Sequence, residues 1–228
     1  MWFKTAIAAA AAALLLLVAP SAPLAQDSWE GLQKAPSKKL DEAYLLPGAD
    51  FRAYTRVKLD PIQVSFSKYW QREMARTGPT ARPRVTTADA DRLRAMMSED
   101  FARILVADLA KAGFEVVTEP GPDVLRLTPL LTNVYINAPD TMQAVRVMSY
   151  TFEAGEATLA IEARDSELGQ LLGRAVDKRR TAYNPQLQWT TEITNRAEFE
   201  RLFRTWSGIV VDGLEALREA SPVQPGKR

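Results

Sequence analysis

Between residues 54 and 217 the spacing of apolar residues alternates between two and three-to-four, and this alternation constrains the fold more than any other feature. Residues 54–59 alternate with period two, and residues 62–66 resume the pattern. Val57, Leu59, Ile62, Val64 and Phe66 form the inward set, with Asp60-Pro61 expected to bulge and reset the face, because proline cannot donate to the ladder. Leu93, Met97, Phe101, Ile104, Leu105 and Leu109 then recur at helical spacing. Thr86 or Thr87 is placed to cap that helix, Asp89 and Asp91 suit its positive end, and Gly113 is the expected stop. Strand signals return at 114–117, 124–136 (with a defect at Pro129) and 145–152. Ala157, Leu159, Ile161 and Ala163 alternate with Thr158, Glu162 and Arg164. The turn at 166–169 and the return over 170–178 complete a hairpin. The last stripe runs from Phe199 through Leu202, Phe203, Trp206, Ile209, Val210 and Leu214 to Leu217, so Trp206 is expected inside. Asn195 with Glu198 matches a capping-box layout at its start.

This order of elements predicts an α+β fold, a mostly antiparallel sheet with two main helices packed on one face. The expected organisation is a signal peptide over 1–25, an extended linker or arm over 26–47, a single α+β domain over 48–219 and a disordered tail over 220–228. Residues 71–86 hold Gly78, Pro79, Pro83 and four arginines (Arg72, Arg76, Arg82 and Arg84), and read as a basic surface loop. A chain without cysteine forms no disulfide, so its core must carry the stability by itself.

The N-terminus has a secretory signal layout. Lys4 is the basic start, residues 6–19 are an apolar run, Pro20 ends it, and Ala22 and Ala25 suit the peptidase. The run is shorter than the roughly 20 residues a membrane span needs. Cleavage is expected after Ala25, with Ser21 as a second site and an uncleaved anchor as the alternative. The mature protein is then periplasmic, with no transmembrane span after signal removal. It is not a lipoprotein, for want of a cysteine to acylate.

Lys+Arg number 29 against 28 Asp+Glu, so there is no global basic field for nucleic acid. With no His and no Cys, zinc sites of the usual kind are excluded, and no phosphate loop or dinucleotide fingerprint occurs; no cofactor or metal is expected. Ser65-Phe66-Ser67-Lys68 fits a Ser-x-x-Lys pattern. It lies in a strand-like run, where residues three apart face opposite ways. Asp60, Asp165 and Asp177 are the best acid candidates, since aspartate is disfavoured in strands. They read either as a carboxylate pair for acid–base work or metal binding, or as turn caps and cross-strand partners of Arg164, Arg174 and Arg179. The basic run 178–180 and the aromatics Tyr69, Trp70 and Trp189 read by default as solvated charges and core edge, with a binding face as the functional alternative. The candidate binding set is Asp60, Trp70, Arg164, Asp165, Asp177 and Arg179, with no catalytic residue assigned.

Several strings, in order, complete the reading. They are Pro47-Gly48-Ala49-Asp50-Phe51, Val57-Lys58-Leu59-Asp60-Pro61, Phe66 through Arg72, residues 121–127, Asn137-Ala138-Pro139-Asp140, Gly155-Glu156-Ala157-Thr158-Leu159, Arg164-Asp165-Ser166 and Arg174-Ala175-Val176-Asp177. Together they resemble the bacterial family catalogued as domain of unknown function DUF3313, over about residues 30 to 217. The resemblance implies an exported cell-envelope protein with no established activity. Many members look like lipoproteins, from which this cysteine-free chain departs.

The reading is therefore a non-enzymatic periplasmic module that binds another envelope protein or component. The alternatives are an envelope hydrolase using carboxylates, which would gather Asp60, Asp165 and Asp177 in one cleft, and a small lipophilic-ligand carrier, which would need an apolar cavity between helices and sheet.

Overall fold

The structure, a computed structural model, describes residues 31–75, 85–136, 149–151, 155–181, 188–190 and 192–224. The strands are β1 (Gln33–Lys34), β2 (Glu42–Leu45), β3 (Arg56–Leu59), β4 (Gln63–Phe66), β5 (Glu115–Val117), β6 (Val124–Ile136), β7 (Ser149–Thr151), β8 (Gly155–Asp165), β9 (Leu171–Arg180) and β10 (Gln188–Thr190). The helices are α1 (Lys68–Ala75), α2 (Thr87–Lys111) and α3 (Glu192–Ala220). The main sheet runs β1-β2-β9-β8-β6-β3-β5, with β4 also paired to β6; β7 and β10 form a separate antiparallel pair. The α+β class holds.

The sheet is mixed. β8 and β9 form the expected hairpin and β6 joins β8 antiparallel, but β3 runs parallel to both β5 and β6, and β4 parallel to β6. The cause is the crossover. α2 carries the chain back to the start of the sheet, so the strands before and after it run the same way. Asp60-Pro61 ends β3 rather than bulging within one strand, and both halves pair with β6.

Two flanking segments are tied to the domain. Part of the expected arm is extended but built into the sheet, since β2 pairs with β9 and β1 with β2. The start of the expected tail is tied down. Gly48 N–H donates to Val223 O at 2.8 Å, and Ser221 Oγ accepts from Phe51 N–H at 2.9 Å. Residues 71–75, read as loop, belong to α1, because Ser67 Oγ caps the helix by accepting from Trp70 N–H at 3.1 Å. The rest of that arginine-rich stretch, 76–84, lies outside the described residues, as do 137–148 and the signal segment.

α2 begins as its sequence asks. Thr86 and Asp89 close a capping box, and beyond the other end Gly113 takes φ +82°. α3 does not start at Asn195. The chain leaves β10 at Thr190 and is helical from Glu192, which puts Asn195 inside the helix, and Glu198 instead pairs with Arg201. α2 and α3 pack through Phe101 on Phe203 (centroids 5.1 Å apart) and through polar ties: Arg196 grips the buried Asp100 at 2.6 and 2.7 Å, and Ser207 donates to Asp108 at 2.8 Å.

The helices cover one face of the sheet. That face carries Val57, Leu125, Leu127, Leu131, Leu159 and Ile161, all buried. The opposite face is a lattice of ion pairs, including Glu162 with Arg164 (2.7 Å) and Arg174 (3.1 Å) and Glu156 with Lys178 (3.1 Å). This division is why β8 alternates so cleanly.

Two local features yield tests. On β6 the register shifts between Thr132 and Tyr135, with Asn133 at φ +51°, and Gly155 is pressed against the shifted strand. A Cβ at Gly155 would stand 2.0 Å from Tyr135 O, a backbone atom that cannot swing away. Gly155→Ala should cost about 1–3 kcal/mol; an unchanged urea midpoint would contradict this packing. At the start of β3, Arg56 clasps Asp123 through Nε (2.9 Å to Oδ2) and its terminal nitrogen, which holds the carboxyl down at about 2. A depressed carboxyl stabilises the fold above its unfolded value, and this contribution fades as pH falls toward 2. Carboxyl NMR titration should place Asp123 near pH 2, returning toward about 4 in Arg56→Gln. A wild-type midpoint already near 4 would count against the clasp.

Candidate functional site

The β8–β9 register decides what lies beneath α3. Leu159, Ile161 and Ala163 stand opposite Asp177, Ala175 and Gly173, and β2 adds Ala43 beside Ala175 and Leu45 beside Gly173. These are the inward positions. Four of them are alanine or glycine, and α3 presents Gly213 and Ala216 toward them. Small residues on both walls leave the helix and sheet unable to fill the space between. The result is a cavity of about 520 Å³, partly open to solvent, bounded chiefly by apolar side chains such as Leu45, Leu159, Ile161, Ile209, Val210 and Leu217. That volume lies in the range of small-molecule sites.

A strap over residues 35–41 passes its mouth, with residues 35–40 forming the lip. Several contacts hold the strap, among them the following. Lys39 Nζ reaches Asp212 on α3 at 2.6 Å, and Arg179 donates to Lys39 O at 2.8 Å. Lys178 N–H donates to Asp41 at 2.8 Å, and Asp41 N–H donates to Asp177 Oδ1 at 3.3 Å. The Lys39–Asp212 pair is solvent-exposed on both sides and therefore weak.

Asp177 stands on the inner face of β9, two residues before Arg179 on that same face, and it is 3% exposed. A buried carboxylate needs donors around it. Trp206 Nε1–H donates to Oδ2 at 2.8 Å and Arg179 Nε–H to the same oxygen at 2.5 Å. Trp206 is fully buried and packs on Phe203 and Phe101, with centroids 6.5 and 6.3 Å away. This clasp joins β9, α3 and the strap at the wall of the cavity.

The other candidates lie elsewhere. Asp60 faces the ion-pair side of the sheet, accepting from Arg126 at 2.8 Å and Thr128 at 2.6 Å. Asp165 caps the hairpin turn, accepting from Leu168 N–H (2.7 Å), Glu167 N–H (2.9 Å) and Tyr54 O–H (2.8 Å). The Leu168 bond first, with help from the Tyr54 and Glu167 bonds against the opposing effect of burial, holds its carboxyl below the usual range, the wrong direction for a general acid. Burial, and then the Asp165 contact, push the Tyr54 hydroxyl up. Arg164 pairs with Glu162 and donates to Gly169 O at 3.0 Å. Trp70 is a core residue, 1% exposed, stacked on Phe66 at 4.2 Å with its indole N–H on Ile136 O. Of the six candidates, only Asp177 and Arg179 meet. The sheet separates Asp60 from Asp177, and six residues of β8, about 20 Å, separate Asp165 from Leu159, the residue opposite Asp177. Among the described residues no group of three or more His, Cys, Asp or Glu is placed to hold a metal ion.

The strap lysines and the wall glycines Gly173 and Gly213 escape sequence reasoning, because neither makes a periodic signal. The inward turn of Asp177 does have one. Counting the hairpin register back from Ala163 places Asp177 opposite Leu159, on the apolar face.

An α+β domain with its helices on one face of a mixed sheet, and a cavity beneath one of them, is the class that fold and site define. The family described as "Protein of unknown function (DUF3313)" matches residues 21–208, and the chain belongs to it. No curated protein matches the sequence. Solved structures overlap only loosely. The PelC dodecamer from Paraburkholderia phytofirmans is 10% identical, with 72% of this chain and 96% of that chain covered and a TM-score of 0.32. Protein XCC0632 from Xanthomonas campestris is 13% identical, with 82% and 93% covered and a TM-score of 0.37. A neuraminyllactose-binding hemagglutinin homolog from Helicobacter pylori is 11% identical, with 77% and 92% covered and a TM-score of 0.35. No helix among the described residues is long and apolar enough to cross a membrane.

Proposed function

We propose that this protein is an exported, periplasmic binding module of the cell envelope that holds a lipophilic guest between α3 and the inner face of β2, β9 and β8. The cavity carries this reading. Its size suits a small ligand, its walls are apolar, and its lip is a strap held to α3 by one exposed ion pair. Export rests on the signal layout of residues 1–25. The hydrolase alternative is weaker, because Asp60, Asp165 and Asp177 each serve a different structural tie. The guest fits the first expectation too, since a lipid-like molecule is an envelope component.

The test uses protein released from the periplasmic fraction and titrated with the apolar fluorophore N-phenyl-1-naphthylamine. Gly213 is the position to block, because a Cβ there meets nothing within 4 Å, and leaving glycine in a helix favours folding. Gly213→Phe should keep or raise the unfolding midpoint while weakening probe binding on the order of tenfold, since its ring occupies the cavity. Absence of saturable binding to wild type, or equal binding by Gly213→Phe, would refute the reading. Recovery of the protein only from the membrane pellet, still carrying Met1, would refute periplasmic release.

A further inference from the structure

Resting on that cavity reading, we propose that the guest is a single-chain anionic amphiphile, a fatty acid, with its alkyl chain along α3 and its carboxylate at Lys38 and Lys39. Three observations converge. The first is shape. The cavity is lined by α3 from Trp206 to Ala220, a stretch of about 21 Å at 1.5 Å per residue. The cavity of about 520 Å³ therefore runs along the helix rather than forming a compact pit. An extended alkyl chain lying along α3 suits an apolar space of this elongated form.

The second observation is the distribution of charge. The inner wall holds the carboxylate of Asp177, already supplied with donors by Trp206 and Arg179, and a second anion beside it would be repelled. The lip is different. Lys38 and Lys39 both line it and both are exposed, and among the described residues Lys38 forms no ion pair. An ammonium at a half-open apolar mouth favours a carboxylate head that stays hydrated while its chain is buried.

The third is the occupant of Lys39. Its partner Asp212 stands on α3 across the mouth, so the pair spans the route into the cavity. An arriving carboxylate can take the place of Asp212 at Lys39. Asp212 then acts as a stand-in for the head group and as its competitor. Removing it should tighten binding of the acid, an effect that a purely structural tie would not produce.

The experiment displaces N-phenyl-1-naphthylamine from the periplasmic protein with hexadecanoate or, in parallel, the neutral 1-hexadecanol. The acid should displace the probe at about fivefold lower concentration than the alcohol, the scale of one or two exposed charge contacts, and its advantage should shrink with added salt. In the Lys38→Gln/Lys39→Gln double variant the acid-to-alcohol ratio should fall to about one, and in Asp212→Asn it should rise about threefold. A wild-type ratio of one, or a ratio unmoved in the lysine double variant, overturns the anionic head group while leaving the cavity as a lipophilic site. Failure of both competitors against a probe that Gly213→Phe does exclude overturns the single-chain guest. Failure of the probe itself, or its equal binding by Gly213→Phe, overturns the cavity reading beneath it.

Discussion

Trp206→Ala is expected to lower the free energy of unfolding by about 3–5 kcal/mol, the usual range for deleting a large buried aromatic. The side chain is fully buried and stacks on Phe203 beside Phe101, so its removal withdraws the ring that locks α3 to α2. It also takes the indole donor from Asp177, leaving a buried carboxylate with fewer partners. With an m-value of about 2 kcal/mol/M, the urea midpoint should drop by about 2 M. Because Trp206 borders the cavity, the space it vacates is continuous with it, and wider amphiphiles should then displace the probe. Trp206→Phe keeps most of the packing and loses only the N–H, so it should cost about 1–3 kcal/mol, the penalty of one lost buried hydrogen bond. An Ala variant within about 0.5 kcal/mol of wild type, the margin typical of a surface site, would show that this helix face is not packed.

Asp177→Ala is expected to cost about 2–4 kcal/mol, between one orphaned buried donor and a fully broken buried pair. The upper limit is not reached, because the Arg179 side chain is one-third exposed and its guanidinium can turn to water, whereas the Trp206 indole cannot. The strap should loosen as well, since Asp41 N–H loses its acceptor and Arg179 its anchor. Amide exchange at Lys39 to Asp41 should quicken in the variant. A double-mutant cycle with Trp206→Phe should return a coupling of about 1–3 kcal/mol. Additive effects would mean that the indole and the carboxylate do not share a hydrogen bond.

The two residues of that contact show why the site is harder to read than the fold. Trp206 is legible as a core residue because it sits in an apolar stripe of period 3.6, and it is buried as that stripe requires. Asp177 is visible as an unusual acid in a strand, but its partner stands 29 residues away on another element, and nothing in the local pattern names an indole as the donor. Expectations based on neighbours in sequence pair Asp165 and Asp177 with nearby arginines. Arg179 does meet Asp177, while Arg164 and Arg174 turn to Glu162 on the opposite face, because alternation along β8 and β9 sends residues one apart to different sides.

Features carried by short-range physics were therefore available from the amino-acid sequence. They include the alternation of β8, the hairpin turn with Gly169 at φ +68°, the capping box of Thr86 with Asp89, and the stripes of α2 and α3. Each depends on residues within a few positions of one another, where φ/ψ preference and side-chain period act directly. The tertiary structure alone decided the parallel pairing of β3 and β4 with β6, the recruitment of residues 42–45 into the sheet, the early start of α3 and the existence of the cavity. Strand order is chosen by which apolar faces can be covered at once, a property of the whole chain. A cavity arises where small residues from β2, β8, β9 and α3 happen to oppose one another, and an alanine or glycine carries no sign of what will stand across from it.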